Sequence, residues 1–217
     1  MSHRLTRLTA ELTPEKRIAL AYSSGAARAA TLAVLALDTR LASILRRRGE
    51  ALLAQVRLAW WRDMLAGPVA DWPRGDEVLD LLREWQDPAG LAELVDGWEA
   101  LLCEDLDAPA IDTFALGRGR AFGLLAGELG GEQEPAETCG RYWALADLAA
   151  NLGDAAEKAA VLAQAGNLKQ PGRLPRMLRP LAVLGGLARR SIARGGTPLL
   201  DGPAAGLMAM RLGIIGR

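Results

Sequence analysis

Histidine is nearly missing from this sequence. The one present, His3, stands in a polar N-terminal stretch, which removes Ser-His-Asp triads, His-ligated metals and histidine acid/base chemistry from consideration. Cysteine is almost as scarce. Cys103 and Cys139 lie far apart without metal-type spacing, so neither a disulfide framework nor a zinc site is argued, and a reduced compartment fits. No window approaches the roughly 18 to 20 consecutive apolar residues of a membrane span, because charges such as Arg28, Asp38 and Arg40 interrupt each run. The N-terminus carries basic residues but no apolar core followed by a small-residue cleavage site. A cytoplasmic protein is expected, with peripheral contact at the inner face of a membrane left open. Runs of Val, Ile, Thr and Tyr are missing as well, while Ala, Leu, Arg and Glu fill long windows; this predicts an all-α fold.

With 217 residues, 50% of them hydrophobic, the chain can bury a substantial core, and one domain over 1–217 is expected, with 1–12 as a loosely ordered tail. The 26 basic and 26 acidic groups cancel overall but not locally. Residues 1–70 hold 11 basic and 5 acidic groups, 71–137 hold 4 and 17, and 166–217 hold 9 and 1. Either the acidic middle folds back against the basic ends or each segment shows one solvated charged face. A basic surface meeting anionic lipid or a polyanionic substrate is the sharper alternative.

Helical signals recur along the chain. Thr13-Pro14 reads as a cap and first-turn proline for a helix over about 14–22. Apolar residues from Ala27 to Leu45 return at three- and four-residue spacing, predicting a helix over about 26–48 that stops at Gly49. Further helices are predicted near 50–66, 75–86, 88–105, 111–129, 135–165 with a break near Gly153, 176–194 and 203–213. Within 50–66, Val56, Trp60 and Met64 share one stripe, and Arg57, Trp61 and Leu65 the adjoining one. The tryptophan pair therefore spans a broad apolar face, which points to core packing, with Arg57 placed to lie across Trp61.

Two superficially chemical motifs have simpler explanations. Gly117-Arg118-Gly119-Arg120-Ala121-Phe122-Gly123 lacks the preceding strand of a phosphate-binding fingerprint. Its small residues at 119, 123 and 127 instead suit close helix approach. Arg46-Arg47-Arg48 complements the negative end of a helix and lacks the interleaved aromatics of a nucleic-acid surface, so no nucleic-acid partner is expected.

The segments LAYSSGAARAATLAVLALDTRLASIL, EALLAQVRLAWWRDML and LRPLAVLGGLARRSIARGG resemble the squalene/phytoene synthase family, particularly its divergent bacterial members and the mitochondrial complex I assembly-factor branch. The resemblance implies an isoprenoid-synthase-like helical bundle around a central apolar cavity. It also implies two aspartate-rich motifs that hold Mg²⁺ ions and a prenyl diphosphate at the cavity mouth, as a hard cation among oxygen ligands would.

This chain departs from that pattern. Alignment puts Ala42 and Arg46 where the first motif's aspartates belong, with Ser43 beside them. In the second motif Asp154 and Glu157 match the first acids, but Lys158 takes the last acidic position. No catalytic or metal-binding residue is therefore expected, and no cofactor; Mg²⁺ enters only if an active prenyl transferase survives. That alternative would hold diphosphate through basic residues such as Arg46, Arg57 and Arg173. The leading expectation is a non-enzymatic role in binding an isoprenoid or lipid or in assembling a membrane protein complex, with Arg57, Trp60, Trp61, Asp154, Glu157 and Arg173 as candidate ligand-binding residues. An isoprenoid, an anionic membrane surface or a membrane complex is the expected partner.

Overall fold

The computed structural model describes residues 2–23, 25–46 and 51–216, and the regular structure among them is helical, without a strand. Ser2–Glu11 form α1, in the stretch expected as a loosely ordered tail. Leu8 is fully buried and Leu12 nearly so, and Arg7 Nη2 reaches Glu77 at 3.0 Å. These contacts repay the ordering of a segment whose sequence looks polar.

Thr13 precedes α2 (Pro14–Ala21) in the cap position, although its hydroxyl donates to the Glu15 carboxylate rather than capping the backbone. Gly25, at φ +58°, admits the chain to α3 (Ala26–Leu45); a left-handed turn there suits a residue without Cβ. Arg47, Arg48 and the expected Gly49 stop lie outside the described residues. α3 is the hub, touching α1, α2, α4 (Ala51–Ala66), α5 (Glu77–Leu82), α6 (Ala92–Ala100) and α7 (Ala108–Glu128).

Helix boundaries follow their caps. Asp76 accepts hydrogen bonds from the backbone N–H of Val78 and Leu79 and so begins α5. Instead of one helix over 88–105, a 3₁₀ turn at Ala89–Leu91 leads into α6, which ends at Ala100. Continuing it would put Glu104 and Asp105 at the negative end of the helix dipole. Asp107 caps α7 through the Ala110 N–H. The break expected near Gly153 separates α8 (Gln133–Asn151) from α9 (Ala155–Gly166), and α10 (Arg179–Ala193) and α11 (Pro203–Ile214) complete the chain.

The most extensive packing is between α7 and α8. A Cβ on Gly140 would stand 2.6 Å from the Arg118 carbonyl oxygen, and one on Gly119 would stand 3.1 Å from that of Glu137. The glycines of the GRGRAFG motif thus serve close helix approach. α10 packs on the other side of α8, with Gly185 against Cys139. That burial pushes the Cys139 thiol up to about 12, leaving it protonated and inert at neutral pH.

The local charge imbalance is only half resolved. Basic residues of the first block pair with the acidic middle: Arg7 with Glu77, Arg40 with Asp76 at 2.5 Å, and Arg62 with both Asp96 and Glu99. The C-terminal block does not follow. Among the described residues its one ion pair, Arg194 with Asp201 at 3.3 Å, is internal.

Candidate functional site

Where α3, α6, α7 and α8 meet, two opposite charges interrupt otherwise apolar stripes. Asp38 follows Val34 and Leu37 on α3, and Arg118 lies among Phe114, Ala121 and Phe122 on α7; both are buried. A buried charge is tolerable only when paired and hydrogen-bonded, and each is. Arg118 donates from Nε to Asp38 Oδ1 at 2.8 Å and from Nη2 to Oδ2 at 3.1 Å. Lys16, from α2, donates to Asp38 Oδ2 at 2.7 Å and to Thr39 Oγ1 at 2.8 Å. Trp98 Nε1 donates to Asp38 Oδ1 at 2.9 Å. Arg118 Nη1 reaches Asp147 Oδ2, on α8, at 2.7 Å. Two cations and two carboxylates thus form a neutral cluster.

Aromatic rings enclose it. The Arg118 guanidinium carbon lies 4.1 Å from the centroid of Trp143, and 4.8 Å from those of Trp98 and Phe114. Lys16 Nζ stands 5.4 Å from the Trp143 ring. Such faces attract cations more strongly where water is excluded. Burial alone would push the Asp38 carboxyl up, but Arg118 and Lys16 outweigh it and hold the group at about 2. Burial likewise opposes the charge on Arg118, while Asp38 and Asp147 raise its pKa. Asp38, with four donors on its two oxygens, is a poor base and has no lone pair to offer an ion.

Beside this cluster lies a cleft of about 220 Å³ lined by Ala42, Leu45, Arg46, Trp98, Asp147 and Asn151, among others. Asp147 is the member of the cluster that reaches it, with 27% of its side chain exposed, and Asn151 bonds its carbonyl and carboxylate oxygens. The structure therefore places Ala42 and Arg46 together at one opening. Neither supplies an anionic oxygen, and the nearby carboxylates are held by cations, so these residues do not fit a Mg²⁺ ion. Among the described residues no group of three or more His, Cys, Asp or Glu side chains is placed to hold a metal.

The other candidates are dispersed. Arg57, Trp60 and Trp61 line a shallow groove of about 440 Å³ with Arg40 and Asp76. Trp61 is 6% exposed and belongs to the core, whereas Trp60 is 41% exposed and meets it edge to face, with centroids 5.1 Å apart. The expected burial of both rings thus holds for one stripe only, and Arg40 on α3 supplies a cation 6.0 Å from the Trp61 ring. Asp154 caps α9, accepting from the Ala156 and Glu157 N–H groups at 2.8 and 2.9 Å, and Glu157 sits in that first turn. Arg173 lines a third cleft with Gly130, Gly131 and Pro135. Asp38, Lys16, Trp98, Arg118, Trp143 and Asp147 escaped the sequence reading. Their one visible signal was a charge in the middle of an apolar stripe.

Comparison with family models, curated proteins and solved structures gives no match.

Proposed function

We propose that this protein is a non-catalytic relative of the squalene/phytoene synthases, with the isoprenoid-synthase-like bundle that implies, and that it works by binding at an anionic lipid surface in an isoprenoid-handling or membrane-complex assembly role. The observation that carries the reading is the outer face of α11. Its inner face places Ala205, Ala209 and Leu212 on the core. Leu207, Met210 and Ile214, spaced three and four residues apart on the opposite face, are 64%, 47% and 67% exposed. A helix apolar on both sides belongs in a core or at an interface.

The surrounding charge favours anionic lipid. Arg211 lies on the exposed side of the same helix, and Arg190 and Arg194 anchor its entry through the Asp201 carbonyl and carboxylate. Each basic side chain near an anionic bilayer contributes about 1 kcal/mol, and each buried apolar side chain about 1.5–3 kcal/mol. No described helix is long and apolar enough to cross a membrane, so contact would be at the surface. Catalytic degeneration is supported by Ala42 and Arg46 at the cleft and by the capping role of Asp154. The arginine-based transferase lacks the convergence it needs: Arg46, Arg57 and Arg173 line three different clefts.

Co-sedimentation with phosphatidylglycerol vesicles tests the reading. Binding is expected there, reduced by salt, absent on phosphatidylcholine, and lost in Leu207→Glu/Ile214→Glu with an unchanged melting temperature. Equal binding by that variant, or magnesium-dependent turnover of farnesyl or geranylgeranyl diphosphate by the purified protein, would refute it.

A further inference from the structure

A second apolar surface has the opposite charge. A groove of about 630 Å³ lies between α1, α3 and α5 and shares no lining residue with the cleft at Ala42. Ala29 and Ala30 of α3 form part of its floor, and Leu81 and Trp85 part of its wall. Two alanines keep the floor deep where larger side chains would fill it. The charged residues lining it are all acidic: Glu77, Asp80, Glu84 and Glu128.

These carboxylates are unequally neutralised. Glu77 meets Arg7, and Asp80 meets Arg83 at 3.5 Å. Glu128 accepts the Gln86 backbone N–H at 3.1 Å, but neither it nor Glu84 has a cationic partner among the described residues. Trp85 is more than nine-tenths buried, yet its Nε1–H has no acceptor.

We propose that this groove docks a basic amphipathic helix of a partner protein. An apolar floor takes side chains spaced one turn apart on a helix, and an acidic rim receives the flanking lysines or arginines. The same rim repels anionic headgroups, so this surface is distinct from the lipid-facing helix α11 and does not depend on that reading.

The test is fluorescence anisotropy of a labelled leucine-lysine amphipathic peptide titrated with the full chain. Saturable binding that weakens with added salt is expected. Glu84→Lys with Glu128→Lys should weaken it roughly tenfold or more, and Ala30→Leu should do so while leaving every carboxylate in place. Leu207→Glu/Ile214→Glu should leave peptide binding unchanged, which separates this proposal from the lipid reading. Thermal melts check that each variant folds; if Ala30→Leu does not, the charge-reversed pair decides alone. Absence of saturable binding, equal binding of a leucine-glutamate peptide, or indifference to the charge reversal would overturn the proposal.

Discussion

Arg118 and Asp38, 80 residues apart in the chain, are joined by two parallel hydrogen bonds of 2.8 and 3.1 Å in the interior. The pair ties α7 to α3, and Lys16 and Asp147 extend the tie to α2 and α8. Buried ion pairs are weak evidence for net stability, since desolvation consumes much of the attraction. Their geometry is demanding, however, and a helix shifted by one turn would leave several charges unmet.

Removing one partner should therefore cost more than the pair itself contributes. Arg118→Met strands Asp38 with only Lys16 and Trp98 as donors and leaves Asp147 without its ion pair. A loss of about 3–5 kcal/mol is expected by urea unfolding. Arg141→Met breaks the pair with Asp112, whose side chains are 32% and 49% exposed, and should cost no more than about 1 kcal/mol. Equal losses would show that Arg118 is not the tie described.

Acid should act on Asp38 through its held-down pKa. The carboxyl titrates at about 2 in the fold and near 4 in the unfolded chain. Between those values the unfolded state binds more protons, so stability rises with pH across that window and falls as pH drops through it. The contribution fully present above pH 4 is about 2–3 kcal/mol. Urea midpoints measured from pH 5 to pH 2 should fall steeply for the wild type. Asp38→Asn, less stable at neutral pH, should fall less steeply.

Glycine substitutions divide sharply by neighbourhood. Gly140→Ala would drive a methyl to 2.6 Å from the Arg118 carbonyl oxygen and 2.9 Å from the Gly119 Cα, both backbone atoms. The α7 and α8 helices would have to separate, at a cost of about 2 kcal/mol or more. Gly166, the last residue of α9, has nothing within 4 Å of its would-be Cβ. Gly166→Ala should stabilise by about 0.5–1 kcal/mol, through restriction of the unfolded chain. Thermal melts of the two variants check both signs.

Helix placement was legible because periodicity and caps are local. Thr13-Pro14, Gly153 and the spacing from Ala27 to Leu45 each mark structure within a few residues of themselves. The central cluster was not legible, since the partner of Asp38 lies 80 residues away and nothing near either residue specifies the other. In sequence Asp38 looks like an interruption and Arg118 like part of a glycine-rich loop. α1 is hard to read for a related reason: Leu8 and Leu12 are apolar residues in a largely polar stretch, and their burial depends on a surface supplied by later helices. The acidic block misled in one direction only, because it meets the N-terminal arginines, whereas among the described residues the C-terminal block's ion pair is internal.

Trp60 and Trp61 make the limits of pattern reading measurable. Adjacent residues on a helix point about 100° apart, so a face broad enough to bury both must wrap far around the helix. α4 buries only the side bearing Ala54, Leu58, Trp61 and Leu65. Leu52, Leu53 and Val56 remain exposed alongside Trp60. Trp61→Ala should leave a core cavity and cost about 3–5 kcal/mol. Trp60→Ala loses chiefly the edge-to-face contact, and about 1 kcal/mol is expected. Urea unfolding of the two single variants settles the assignment, since comparable losses would place both indoles in the core.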